Sequence, residues 1–263
     1  MNKNFNIKGQ SVVITGGAGL LGSMHAEAVA EIGGIPILFD SNFNTAKEIS
    51  KKIKKNYSTM CFPFKGDVTK EKDIKNLVKF MIKKKLKFYG LINNVASNPV
   101  INKKNKNDLE NFSLKNWNSE LNVGLTSSFL CSKIIGKKMV KNKKGVIINI
   151  SSDLGIISPD QRLYKNSFKK PVTYSVVKHG IIGLTKYLAT YWAKEGLRAN
   201  CLCPGGVHDN QDKTFVNKIE KLIPMGRMAN VSEYKGAIQF MISNASSYMN
   251  GTTLIIDGGR TIW

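Results

Sequence analysis

The chain has 263 residues, 42% of them hydrophobic, enough to bury one sizeable core. Its 23 glycines, 7 prolines and 4 cysteines exclude a collagen-like, disordered or disulfide-stapled chain. A formal net charge of +22 raises nucleic acid or an anionic membrane as a partner, because clustered basic groups release counterions from phosphates. Against that, only Arg162, Arg198, Arg227 and Arg260 carry a bidentate guanidinium. The lysines fall in short runs at 51–55, 83–87, 103–106 and 137–144, on the polar faces or ends of predicted helices. They read as solvated surface, and neither nucleic acid nor membrane is expected as a partner.

The first ten residues are polar, with no apolar stretch ahead of a cleavage site, and no run reaches ~18 apolar residues, so a cytoplasmic location is expected. Apolar, β-branched runs then alternate with helix-period stretches. Predicted strands at 11–15 and 35–39 bracket a helix over 20–32, and a helix over 45–55 leads to a strand at 60–64. A helix over 70–83 leads to a strand at 90–93, and a long one over 113–140 leads to a strand at 145–150. A helix over 173–194 precedes a strand at 198–203; shorter helices over 212–223 and 232–243 precede the last, at 253–256. Strands that are continuous apolar runs are buried on both faces. The alternation predicts α/β architecture over 1–263: a single-domain, Rossmann-like, doubly wound parallel sheet of about seven strands with helices on both faces.

The stretches 98–111 and 153–171 fit neither pattern. Loops of that length are usually functional, which makes them a candidate rim and lid, with a second rim over 207–226. Cys61, Cys131, Cys201 and Cys203 have no metal-ligand spacing and no accompanying His pair, so they read as buried small residues in a reducing compartment, with no metal site.

The first strand runs into Thr15-Gly16-Gly17-Ala18-Gly19-Leu20-Leu21-Gly22 and then a helix. Glycines at 16, 19 and 22 permit a tight turn and close approach of backbone to a pyrophosphate at the helix N-terminus. The alternative is an ordinary tight turn. Asp40 closes the second strand 18 residues after Gly22, where a carboxylate accepts hydrogen bonds from ribose hydroxyls and repels a 2′-phosphate. That favours NAD over NADP, unless Asp40 merely caps the next turn. Tyr174 and Lys178 share a face of the predicted helix over 173–194. An ammonium so placed stabilises a phenolate and makes the phenol a usable base, whereas a plain surface pair is the bland alternative.

Joined in order by Asp67-Val68, Asn93-Asn94, Asn122, Ser151-Ser152 and Pro204-Gly205, these motifs resemble the short-chain dehydrogenase/reductase family over essentially the whole chain. The resemblance implies a proton-transfer role for Tyr174, a supporting and cofactor-holding role for Lys178, a substrate-oxygen contact for Ser152 and a water-ordering role for Asn122. It places Gly16, Gly19, Leu20, Leu21, Asp40, Asp67, Val68, Asn94 and Ala96 along the cofactor, with Pro204, Gly205 and Val207 at the nicotinamide. A homotetramer or homodimer is implied as well, through the long helices after Ser113 and Thr173 and the C-terminal strand.

Four departures matter. The glycine spacing is similar to the longer branch of the family, which includes epimerases and dehydratases, but only 85 residues follow Lys178, too few for that branch's extra domain. The usual Asn-Asn-Ala-Gly is Asn93-Asn94-Val95-Ala96, and the threonine expected after Pro204-Gly205 is replaced by Val207-His208-Asp209-Asn210. Ser152 and Tyr174 lie 22 positions apart, a wider interval than the family's, so extra residues project within 153–171. These include Asp160, Gln161, Arg162, Tyr164, Lys165 and Asn166, and a polar, partly cationic lid suits a sugar or nucleotide-linked sugar rather than a sterol; a solvent-facing insertion is the alternative. The ending Gly258 to Trp263 and the Ser-Pro-Asp-Gln segment also resemble dehydrogenases of bacterial surface-glycan and flagellin-sugar biosynthesis.

The resulting expectation is an NAD-dependent dehydrogenase/reductase that interconverts a secondary alcohol and a ketone on a polar, carbohydrate-like substrate. Two alternatives stand beside it: a nucleotide-sugar epimerase or dehydratase with tightly held NAD, and a non-catalytic nucleotide-binding protein.

Overall fold

The computed structural model describes residues 2–97, 108–164 and 168–263. Its strands are β1 Ser11–Thr15, β2 Ile35–Asp40, β3 Phe62–Lys65, β4 Phe88–Asn93, β5 Gly145–Ile150, β6 Leu197–Pro204 and β7 Thr253–Ile256. They form one parallel sheet in the order β3-β2-β1-β4-β5-β6-β7. The order reverses direction between β1 and β4, which places a crevice at the carboxyl ends of those strands. The expected doubly wound single domain is the one observed.

Strand period two explains the layers. Val12 and Ile14 enter one buried cluster, with Leu38 of β2 and residues of α1 (Leu20–Glu31), α2 (Phe43–Tyr57) and α7 (Lys235–Ile242). Val13, Ile37 and Phe39 enter the opposite one, with α3 (Glu71–Lys83), α4 (114–140) and α5 (Val172–Tyr191). The remaining helix, α6 (Lys213–Glu220), belongs to a smaller cluster over the crevice.

Differences from the sequence reading have local causes. The helix α2 begins at Phe43 rather than 45 because the Asn42 side chain caps it, accepting from Thr45 N–H at 3.2 Å. The edge strand β3 starts at Phe62 rather than 60 and carries Pro63, which an edge strand tolerates. The predicted helix over 113–140 is continuous from 114 but contains two π turns, Asn122–Thr126 and Ser132–Gly136, which periodicity does not reveal. In the candidate rim 98–111, residues 98–107 lie outside the described residues, as does the lysine run 103–106. All four cysteines are free and buried, as expected. No helix among the described residues is long and apolar enough to cross a membrane.

One buried polar group stands out in the core. His25, on the buried face of α1, is fully inaccessible, and neither ring nitrogen has a hydrogen-bond partner among the described residues. Burial lowers its pKa from 6.5 to about 3. The folded state therefore resists a proton that the unfolded chain accepts, and stability is lost as pH falls from 6.5 toward 3. Unfolding titrations in urea at a series of acidic pH values should show His25 contributing a slope of about 1.4 kcal/mol per pH unit in that window, and His25→Leu should flatten it. An unchanged slope in the variant would assign the acid sensitivity to carboxylates instead.

Candidate active site

Because every strand is parallel, the loops after β1, β2, β4, β5 and β6 open along one edge of the sheet. The first loop is shaped by two glycines. Gly16 adopts a φ of +63°, and a Cβ on Gly22 would lie 2.0 Å from the Gly16 carbonyl oxygen, so α1 packs against the turn only without a side chain there. No side chain caps α1, whose N-cap is Gly19. Asn94 locks the loop to β4: its amide donates to the carbonyls of Thr15 (3.2 Å) and Gly16 (3.3 Å), and its N–H donates to the Thr15 hydroxyl at 3.0 Å.

A cavity of about 630 Å³ follows this loop, lined by Gly16, Gly19, Asp40, Asp67, Val68 and neighbours. Asp40 caps the turn that follows β2 and also borders this cavity. One carboxylate oxygen accepts from Asn42 N–H (2.8 Å), capping the turn, and the other from Ala18 N–H (2.9 Å), while the residue still faces the cavity.

A second cavity of about 670 Å³ contains Ser152, Tyr174, Lys178, Pro204 and Gly205. Leu20, Leu21, Asn94, Ala96 and Val207 line both spaces, so the two form one cleft. Lys178 is buried, donates to the Ile150 carbonyl at 3.0 Å, and sits 5.6 Å from the Tyr174 ring centre. Burial pushes its ammonium down to about 8. Burial also pushes the Tyr174 phenol up, with a hydrogen bond to Ser152 acting the other way and Asp153 reinforcing the rise. The three groups expected to act together thus converge.

Asn122 does not join them. It is exposed and lines neither cavity. The inward face of α4 runs instead through Val123, which lines the first cavity, and Gly124, where a Cβ would meet Val177 Cγ1 at 2.6 Å. Residues two apart on a helix point nearly opposite ways, and the stripe of small residues Gly124, Ser127, Ser128 and Cys131 was the signal for which face is buried.

Three further residues complete the site. The Asp153 carboxylate accepts from the Ser152 hydroxyl (2.7 Å) and is paired with Arg260 (2.5 Å), both charged side chains being buried. Lys170 lies with its Nζ 3.9 Å over the Tyr174 ring centre, and burial pushes it down to about 8. Nothing in the sequence pairs Asp153 with Arg260, 107 positions apart. Lys170 stands beside Pro171 in a segment without periodicity.

The insertion departs from a uniformly polar lid. Asp160 and Tyr164 line the cavity, but Arg162 is 88% exposed and holds Asp160 at 2.8 Å, while Gln161 bonds the Lys170 backbone. Lys165 and Asn166 lie outside the described residues. The inner face is apolar as well: Leu163 packs with Ile219, Ile223 and Met228, and Tyr164 tilts against Phe215 of α6 at 5.8 Å. The insertion and the rim over 207–226 are therefore joined. Among the described residues, no cluster of His, Cys, Asp or Glu is arranged to hold a metal.

Comparison with known proteins places this geometry. Residues 18–261 match the family described as enoyl-(acyl carrier protein) reductase. The chain is 30% identical to an NADP-dependent mannitol dehydrogenase of Alternaria alternata, covering 98% of this chain and 94% of that protein. It is 29% identical to an NAD-dependent glycerol dehydrogenase of Listeria innocua, covering 99% and 97%. Its structure resembles that of a gluconate 5-dehydrogenase from Burkholderia cenocepacia in complex with NADP and tartrate, with a TM-score of 0.88, 25% identity, and 99% and 98% coverage.

The ion pair under the site supplies a test. Removing Arg260 strands a buried carboxylate, so Arg260→Met should lose about 3–5 kcal/mol of stability in chemical unfolding. Adding Asp153→Asn should recover much of that loss, because the stranded charge goes with it. Equal losses in the single and double variants would show that packing, not charge, makes Arg260 important.

Proposed function

The chain belongs to the short-chain dehydrogenase/reductase family and is an oxidoreductase acting on CH–OH groups; from that premise we propose that it is an NAD-dependent dehydrogenase of polyols or sugar acids, interconverting a secondary alcohol and a ketone. The observation that carries this reading is the convergence of Ser152, Tyr174 and Lys178 in a cavity continuous with the glycine-turn cleft. The turn fits a dinucleotide: its glycines leave no side chain in the cradle, α1 starts uncapped beside it, and Asp40 stands where a ribose hydroxyl would be held. When bound, the nicotinamide supplies the acceptor for the hydride that leaves the carbinol carbon as a carbonyl forms.

The protein's own groups handle the proton and the charge. Tyr174, as phenolate, takes the carbinol O–H proton, and Lys178 stabilises that phenolate. Ser152 gives its own hydrogen to Asp153 and accepts from Leu154 N–H, which leaves its oxygen one lone pair to accept from the Tyr174 phenol once that has taken the proton. Asp67, Val68 and Ala96 line the cofactor arm; Pro204, Gly205 and Val207 flank its reacting end.

A polar substrate fits a cavity bordered by Asp160, Tyr164, Lys170 and Gln211. The named relatives act on mannitol, glycerol and gluconate, which are polyols and a sugar acid. Within that class, the segments resembling surface-glycan and flagellin-sugar dehydrogenases favour a carbohydrate. The preference for NAD rests on Asp40, since the relatives are divided between the two dinucleotides. All three named relatives are dehydrogenases, which leaves the epimerase reading without support. We also propose a cytoplasmic homo-oligomer assembled through α4, α5 and β7, where Phe129, Tyr187 and Tyr191 are exposed.

A screen of polyols and sugar acids with NAD and NADP tests this directly. Wild type should form NADH steadily and prefer NAD; Tyr174→Phe should lose turnover by about 10²–10⁴-fold while still binding cofactor. Asp40→Ala should erode the preference for NAD. Preference for NADP by wild type would refute the cofactor assignment, and undiminished turnover in Tyr174→Phe would refute the catalytic one.

A further inference from the structure

The catalytic phenol has a second ammonium beside it. Lys170 Nζ lies 3.9 Å from the Tyr174 ring centre, nearer than the 5.6 Å of Lys178 Nζ. The two lysines reach the ring from different places: Lys178 from one turn further along α5, and Lys170 from the insertion just ahead of it. The segment bearing Lys170 is fixed by the Gln161 side chain, which accepts from Lys170 N–H at 2.9 Å.

We infer that Lys170 is a positioning residue for proton transfer, its ammonium stacked on the Tyr174 ring to favour the phenolate that accepts the substrate proton. This rests on the proposed role of Tyr174. A phenolate spreads its charge into the ring, so a cation above the ring face stabilises it more than it stabilises the neutral phenol. Only protonated Lys170 does so.

The surrounding charges define the balance. The phenol is faced by Lys178 on its own helix, by Ser152 and Asp153 after β5, and by Tyr164 in the insertion. The Lys170 ammonium is faced by Asp153, by Glu120 of α4, whose carboxylate accepts a hydrogen bond from Thr173, and by the Lys178 ammonium, which repels it. Both carboxylates favour the charged lysine. Burial opposes them and brings Lys170 to about 8, so the cation is present at neutral pH and is lost as pH rises through that value.

The test reads the phenol directly. Tyrosine labelled with carbon-13 at the phenol carbon, with the Tyr174 signal assigned through Tyr174→Phe, is titrated in wild-type protein, Lys170→Met and Lys170→Arg. Lys170→Met should raise the Tyr174 ionisation by about one pH unit, and Lys170→Arg should hold it near wild type. The acid limb of the pH–rate profile for polyol oxidation should move up equally, with kcat at neutral pH lowered about tenfold and KM little changed. Melting curves establish that each variant is folded, and Lys170→Gln carries the comparison if the methionine variant is not.

A Tyr174 titration that does not move in the folded variants would overturn the inference. So would a rise in KM confined to anionic substrates with an unmoved pH profile, which would make Lys170 a substrate contact. A shifted phenol titration in a protein that oxidises no polyol would keep the electrostatic coupling of Lys170 to Tyr174 but overturn its role in proton transfer together with the proposed function.

Discussion

An ammonium held out of water beside a phenol is unfavourable unless the surrounding fold supplies what hydration gave. Taking such a group into the interior costs several kcal/mol, and Lys178 recovers part of that through its bond to the Ile150 carbonyl at the end of β5. The bond exists only if α5 lies tightly on β5 and β6. Val177 and Ile181 pack there with Cys201 and Cys203, and the Ser151 hydroxyl donates to the Lys178 carbonyl at 2.7 Å. Gly155 must lack a side chain, since a Cβ would lie 2.9 Å from that same carbonyl oxygen. Close packing of helix on sheet is thus what makes the chemical pairing possible.

The same reasoning extends outward. Ser152 is oriented by Asp153, Asp153 is neutralised by Arg260, and Arg260 comes from the C-terminal segment, so two remote parts of the chain meet under the cavity. Over it, the insertion and α6 share the cluster of Leu163, Ile219, Ile223 and Met228, and Lys218 donates to the Arg162 carbonyl at 3.0 Å. The roof is a packed body that presents both apolar groups (Leu163, Phe215, Met228) and polar ones (Asp160, Tyr164, Gln211) to the cavity. The polar members offer directed hydrogen bonds of the kind the proposed polyol or sugar-acid substrate needs.

The strands and the order of the layers were legible because burial on both faces writes continuous apolar runs such as those at 11–15 and 145–150. The glycine turn, Asp40, Ser152, Tyr174 and Lys178 were legible because each stands at a fixed place relative to a strand end or helix start. Asn122 was misplaced: facing on a helix is set by its phase, and a π turn beginning at 122 sits at that position. The Asp153–Arg260 pair and the stacking of Lys170 on Tyr174 arise from tertiary contact alone, through segments with no period to read. The polar composition of the insertion gave no sign of how it attaches to α6, which is through Leu163 in the apolar cluster, Tyr164 against Phe215 and the Arg162 carbonyl.

In the proposed reaction a hydride passes directly from a substrate carbon to the cofactor while a proton passes to Tyr174. Offering the enzyme a polyol deuterated at the reacting carbinol carbon, with NAD, and locating the label by mass spectrometry and NMR tests it most directly. Direct hydride transfer puts deuterium on the nicotinamide ring of the NADH released and gives a primary isotope effect on the chemical step. Label retained on a product of unchanged oxidation state, or lost to water, would contradict it.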